Sequence, residues 1–377
     1  MTDAPLAGLK VIELASVLAG PAVGAFLAEL GADVTKVENP HTGGDVTRGW
    51  KLAGEAADDG ISAYFAAVNA GKRSIRADLQ TAAGCDTVRA MIDTADVVIA
   101  SYKPGDAARL GMDAATLQAH NARLIVAEIT SFGESDARPG YDAIVQAETG
   151  FTSMNGHKLP VALIDVLAAH QLKEAILLAL WQRERDGLGR RVTVSLFDAG
   201  VASLANQATN WLVGGVVAQP MRDEHPNIVP YGTIFDCICG GRVVIACGSD
   251  AHFVSLCRAL GTAASRLPED PRFATNAARV AHRDELLPML RDLFGTHEAA
   301  SLMRALQAAK VPVGEVRDVG GVFGLPAAEA LTITHRMRDG RELRTVRQAV
   351  WRDGGALPGQ PVLPPPRCGE HDGPSGS

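Results

Sequence analysis

The sequence has no apolar run long enough to cross a bilayer, and residues 1–10 lack the charged-then-apolar layout of an export leader. The simplest expectation is a cytoplasmic protein with no membrane partner. It also lacks a positive excess: 36 Lys and Arg stand against 43 Asp and Glu, a net charge of −7. That balance argues against general nucleic-acid binding and leaves room only for a local basic pocket. Metal-ligand spacing is missing as well. Six cysteines (Cys85, Cys237, Cys239, Cys247, Cys257 and Cys368) are scattered, and the Cys237-x-Cys239 pair has no second pair or histidine cluster beside it. Core or strand thiols in a reducing compartment are the simpler reading. No metal is expected.

What is present describes an ordinary globular protein, 47% apolar and 21% charged. At 377 residues it is longer than one core usually supports, so two domains are expected. Leu9 to Leu14 reads as a strand, Ala22 to Leu30 as a helix stopped by Gly31, and Asp33 to Glu38 as a second strand. Such a unit is a right-handed parallel crossover. The turn after the first strand, Ala15-Ser16-Val17-Leu18-Ala19-Gly20-Pro21, carries no G-x-G-x-x-G, so a doubly wound sheet is expected without a nicotinamide cofactor. Asp96 to Ala100 and Leu124 to Ile129 continue the parallel pattern.

Lys72, Arg73, Lys103 and Arg109 fall in or near turns beside these strands, where open α/β sheets bind ligands. Together they would neutralise a polyphosphate; individually each is also an ordinary solubilising charge. From Thr233 onward a hairpin around Gly240-Gly241 is followed by helices at Ala251 to Leu260, Arg283 to Phe294 and His297 to Ala309, the last capped by Thr296. Leu363 to Ser377, rich in Pro and Gly, reads as a loose tail.

The stretch Leu159 to Asp165 is the most informative. Its apolar residues read as a short buried strand or extended arm ending on one carboxylate. Val166, Ala169, Leu172, Ala175, Ile176, Ala179 and Leu180 then recur at helical spacing. Asp165 at or near the N-cap has two readings: a capping side chain, or a carboxylate held near the positive end of a helix and available as a covalent nucleophile.

Several segments together resemble the class III coenzyme A transferases, the family that includes formyl-CoA transferase, carnitine CoA-transferase and α-methylacyl-CoA racemase. They are Ala19-Gly20-Pro21, Leu30-Gly31-Ala32-Asp33-Val34, Asn69 to Ile75, Lys103-Pro104-Gly105, Gly140-Tyr141-Asp142, Asp165, His225 to Gly232, Asp270 to Phe273 and Gly314-Glu315-Val316, all in family order. The resemblance implies a large doubly wound, Rossmann-like α/β domain (residues 1–215 with 325–377) and a smaller α+β domain (222–320). It also implies an interlocked homodimer. Asp165 matches the catalytic aspartate. Ser16, Val17 and Ala19 match a backbone contact to coenzyme A, and Lys72, Tyr102 and Arg109 match side chains that hold its nucleotide. Asn227, Tyr231 and Gly232 match the loop that closes over the thioester. Coenzyme A is then a substrate rather than a resident cofactor, with acyl-CoA and a small carboxylic acid as partners.

The implied activity is acyl-CoA:carboxylate coenzyme A transfer through an aspartyl anhydride and an aspartyl-CoA thioester. Racemisation is the alternative, but it needs two proton-transfer groups, and Tyr141 stands where the racemase branch has His. A non-catalytic acyl-CoA-binding protein is the second alternative.

Overall fold

The computed structural model describes residues 4–238, 240–352 and 362–373. The chain forms two compact units. The first comprises residues up to Thr152, Lys158–Thr209 and the chain from Glu329; the second comprises Ser153–His157 and Asn210–Ala328.

The first unit is built on a six-stranded sheet in the order β3-β2-β1-β4-β5-β6. The strands are β1 (Lys10–Leu14), β2 (Asp33–Glu38), β3 (Arg73–Arg76), β4 (Val97–Ala100), β5 (Ile125–Thr130) and β6 (Arg191–Ser195). Every neighbouring pair is parallel. This is a doubly wound mixed α/β arrangement, and its central β4, Val-Val-Ile-Ala, is buried at all four positions, as a strand covered on both faces requires. One face packs on helices Ala19–Glu29 and Leu163–Asp186. The other packs on helix Ala82–Ile92 through Cys85, Val88 and Ile92. Gly31 ends the first helix at φ +98°, with the Ala4 methyl 2.4 Å from where a Cβ would sit. Only glycine meets both conditions without strain.

The returning segment differs from the loose tail its composition suggests. Residues 363–372 run along the open edge of β3. Gly71 N–H donates to Leu363 O, His371 N–H donates to Ser74 O, and Arg76 N–H donates to the Asp372 carboxylate. An edge strand leaves unpaired backbone groups, and this segment satisfies them. Before it, β10 (Thr332–Arg336) and β11 (Glu342–Val346) form an antiparallel hairpin.

The second unit is a three-stranded antiparallel sheet, β7 (Tyr231–Asp236), β8 (Arg242–Ala246) and β9 (Val313–Glu315). Helices Asp250–Ala259, Arg283–Phe294 and Ala299–Ala308 share its core, where Phe235 stacks on Phe294 at 4.1 Å. Thr296 is not the cap of the last helix. Glu298 is, accepting from Ala300 and Ser301 N–H groups. Residues 196–212 form two helices, Leu196–Ala202 and Ala205–Leu212, separated before Ala205, which has φ +49°. Among the described residues no helix is long and apolar enough to cross a membrane, and no three His, Cys, Asp or Glu cluster as metal ligands. Cys239 lies outside the described residues.

Candidate active site

The carboxyl ends of β1, β4 and β5 open into a cavity of about 360 Å³. Its wall is made by the turn Ser16–Gly20, the loop Ser101–Pro104, residues Ile129–Ser131, the loop Asp136–Tyr141 and Asp165. This is the end of an open α/β sheet where ligands bind.

Asp165 reaches the cavity from the first turn of the 24-residue helix Leu163–Asp186. It is a residue inside the turn, not the N-cap, which is Ala162 and makes no side-chain hydrogen bond. The capping comes from outside the helix. Asp142 Oδ1 accepts the Ile164 N–H at 2.7 Å, and Asp142 Oδ2 accepts from Gln146 Nε2 at 2.6 Å. Gln146, fully buried, also accepts the Leu159 N–H and donates to Val161 O. The segment before the helix is therefore pinned by side chains and not buried as a strand; Val161 is exposed. With the capping demand met by Asp142, the Asp165 side chain is left free of that role.

The Asp165 carboxylate has no hydrogen-bond or ion-pair partner among the described residues, and the residue is 8% exposed. Burial, followed by the negative charge of Asp142, pushes its carboxyl up to about 7. Tyr64 senses the same pair: burial, Asp165 and Asp142 all raise its phenol. Two cations also line the cavity. Lys103 is exposed, and Arg138 lies 4.1 Å over the Phe132 ring while paired with Asp136 and Glu148.

The expected site residues divide. Ser16, Val17, Ala19 and Tyr102 line the cavity with Asp165. The Tyr102 hydroxyl is buried without a hydrogen-bond partner among the described residues, and burial raises its pKa. Arg109 is exposed on a short helix, paired with Asp106 at 3.2 Å, and does not line the cavity.

Lys72 corrects the expectation most sharply. It is fully buried, with Nζ 2.7 Å from Glu13 Oε2 and donating to Asn69 Oδ1 and Pro21 O. Its donors are committed inside the fold, and burial pulls its pKa down to about 8 despite Glu13. A side chain so placed cannot contact a bound nucleotide. Adjacent residues on a strand point to opposite sides, and nothing in the Lys72-Arg73 pair says which of the two is internal.

Asn227, Tyr231 and Gly232 belong to the second unit. There the loop is clamped: Asn276 Nδ2 donates to Asn227 O, Arg279 Nε to Val229 O, and Arg283 to the carbonyls of His225 and Pro226. Gly232, at φ +79°, lies where the pairing of β7 with β8 shifts register, and Tyr231 packs edge-on against His225 at 5.2 Å. Beside Asp165, the residues left without a role by sequence reasoning are Asp142 and Gln146, which hold the start of its helix. A carboxylate and an amide four residues apart on one helix face were the visible signal for them.

Comparison with known proteins agrees along the whole chain. The model of CoA-transferase family III matches residues 6–372. A succinate–glutarate CoA-transferase of Agrobacterium fabrum is 38% identical, over 97% of this chain and 94% of its own length. An acetyl-CoA:oxalate CoA-transferase of Acetobacter aceti is 32% identical over 95% and 88%. Among solved structures, a CAIB/BAIF family protein from Brucella suis superposes with a TM-score of 0.83 at 37% identity, covering 98% of both chains. A parallel α/β sheet with a buried, uncommitted aspartate at its carboxyl edge agrees with that likeness, and the chain belongs to CoA-transferase family III, as an enzyme that transfers coenzyme A.

Proposed function

We propose that the protein is an acyl-CoA:carboxylate coenzyme A transferase in which Asp165 is the covalent nucleophile. The observation that carries the reading is an aspartate buried at the cavity wall with no partner to neutralise it. The ionised carboxylate attacks the thioester carbonyl, the C–S bond breaks and coenzyme A leaves as thiolate, giving an aspartyl–acyl anhydride. The thiolate then attacks the Asp165 carbonyl, releasing the donor acid and leaving an aspartyl-CoA thioester. An acceptor carboxylate attacks that thioester to form a second anhydride, and thiolate attacks its acyl carbon to release the new acyl-CoA and free Asp165. Four exchanges of similar energy replace one difficult transfer.

Ser16, Val17, Ala19 and Tyr102 are proposed to contact coenzyme A, with Arg109 at the nucleotide's periphery. The named activities of the relatives favour a small dicarboxylic acid as acceptor, and Arg138 at the cavity wall suits its distal carboxylate. Exposed Leu177, Leu178 and Trp181 on the Asp165 helix suit a second copy of the chain, as an interlocked homodimer requires. Racemisation is disfavoured by Tyr141 in place of histidine.

The test is mass spectrometry of the Asp165 peptide after incubation with acyl-CoA. A hydroxylamine-sensitive adduct is expected. Exchange of the α-proton with solvent deuterium and no adduct would instead support a racemase, and binding with neither would support a non-catalytic acyl-CoA protein.

A further inference from the structure

Beneath the turn that forms one wall of the cavity lies a cluster of four buried charges. Lys36 Nζ sits 2.9 Å from Glu13 Oε1 and 2.9 Å from Asp45 Oδ2, and donates to Ala15 O at 2.7 Å. Lys72 closes the cluster on the other oxygen of Glu13. Gly24 makes room for it: a Cβ there would stand 2.0 Å from Glu13 Oε2 and 3.1 Å from Lys72 Cε. Asp45 also accepts from Thr47 N–H and Oγ1, at 3.0 and 2.8 Å. Its last contact is with the turn itself, where the Val17 N–H is shared between the two Asp45 oxygens at 3.4 and 3.3 Å.

Val17 is the anomaly at this point. Its φ is +73°, in the left-handed region, where a β-branched residue is a true outlier. Strain of this kind persists only where surrounding structure imposes it, and it gathers at functional sites. The residues on either side, Ser16 and Leu18, line the same cavity as Asp165. We propose, resting on the reading of Asp165 as the nucleophile, that Asp45 is a positioning residue for coenzyme A transfer: through the Val17 N–H it holds the Ser16–Gly20 turn in the conformation that receives the thioester. The geometry divides the labour. Lys36 ties down Ala15, at the start of the turn, by its carbonyl, and Asp45 ties down Val17, two residues on, by its N–H. Released from Asp45, a valine would relax to negative φ and swing the peptide groups on both sides of it.

A merely structural buried carboxylate would be insensitive to what residue stands at position 17, and a double-mutant cycle uses that difference. Asp45→Ala, which removes both acceptors of the Val17 N–H, should lower kcat/KM for acyl-CoA about tenfold, mostly through KM, the equivalent of about 1.4 kcal/mol. Glycine adopts positive φ without a tether, so Asp45→Ala in a Val17→Gly background should lose much less. The two substitutions are then coupled and not additive. An Asp45→Ala protein with unchanged kcat/KM overturns the proposal, and so does an equal loss in both backgrounds. Should Asp45→Ala not fold, Thr47→Val, which removes one bond to the same carboxylate, takes its place in the cycle, where either of those two results again overturns the proposal. Following coenzyme A affinity by calorimetry across the same cycle separates the two ideas. Coupling in affinity with no Asp165 adduct in the parent enzyme would uphold the tether and sink the nucleophile.

Discussion

Two buried aspartates stand beside one turn of the larger unit and are treated in opposite ways. Asp45 is surrounded by donors. Burial works to raise its carboxyl, but Lys36 and Thr47 outweigh burial and hold it below the usual range. Asp165 has no donor, and burial with Asp142 takes it up to about 7. The difference separates support from chemistry. A carboxylate satisfied by hydrogen bonds is a poor nucleophile because its lone pairs are committed, whereas an unsatisfied one is stored reactivity. The pH signs are opposite as well. Stability from Asp45 is present above its unfolded pKa near 3.8 and is lost as pH falls through the depressed folded value. For Asp165, the folded state holds a proton that the unfolded chain releases, so stability is lost as pH rises from 3.8 to about 7 and stays lost above.

Removing the uncommitted member should have the largest effect. Asp165→Asn is expected to lower transfer by at least about a thousandfold while the protein still binds coenzyme A, because no neighbouring group can replace the nucleophile. The same variant should melt higher than the parent at pH 8, by about 1–3 kcal/mol of stability, and no higher at pH 4. Equal melting at pH 8, or retained turnover, would remove the contrast between the two aspartates.

The committed side breaks differently. Lys36→Met leaves Glu13 and Asp45 facing each other without their shared cation, and losing one partner of a buried ion pair typically costs about 3–5 kcal/mol. Urea denaturation should show that loss at pH 7 and a smaller one in acid, where the carboxylates protonate. Next in size is the tuning of the nucleophile. The kcat/KM profile should rise with pH through about 7. Asp142→Asn removes the nearby charge but keeps an oxygen for the Ile164 N–H, so the rise should move down by about one pH unit. An unmoved profile would mean that burial alone sets the nucleophile. The smallest effect belongs to Arg109→Ala: with a side chain 67% exposed, it should weaken coenzyme A binding only about two- to fivefold and only at low salt.

Much of this is legible in the residues. β2 runs from Asp33 to Glu38 and the helix Arg283–Phe294 begins and ends where their patterns say, because a short run of strand formers bounded by Gly31 and Pro40, and apolar residues at three- and four-residue spacing, each admit one reading. Position 165 is legible for a similar reason, an acid just inside an amphipathic run. Its partners are less so. That Asp142 takes the capping role, or that Gln146 holds Leu159 and Val161, depends on side chains meeting across about twenty residues of chain. The docked segment 363–372 reads wrongly as a loose tail because proline and glycine report a lack of regular structure, not a lack of contacts.

By itself, then, the order of residues decided the parallel sheet and the place of the proposed nucleophile. These follow from local periodicity and from one acid at a helix start. Only the folded chain decided which charges face inward. Lys72 and Arg73 are neighbours with the same formal charge, yet one neutralises Glu13 in the core and the other does not. The physical reason is that a buried charge must be matched in three dimensions, by groups brought together from distant strands, and no local pattern records that match.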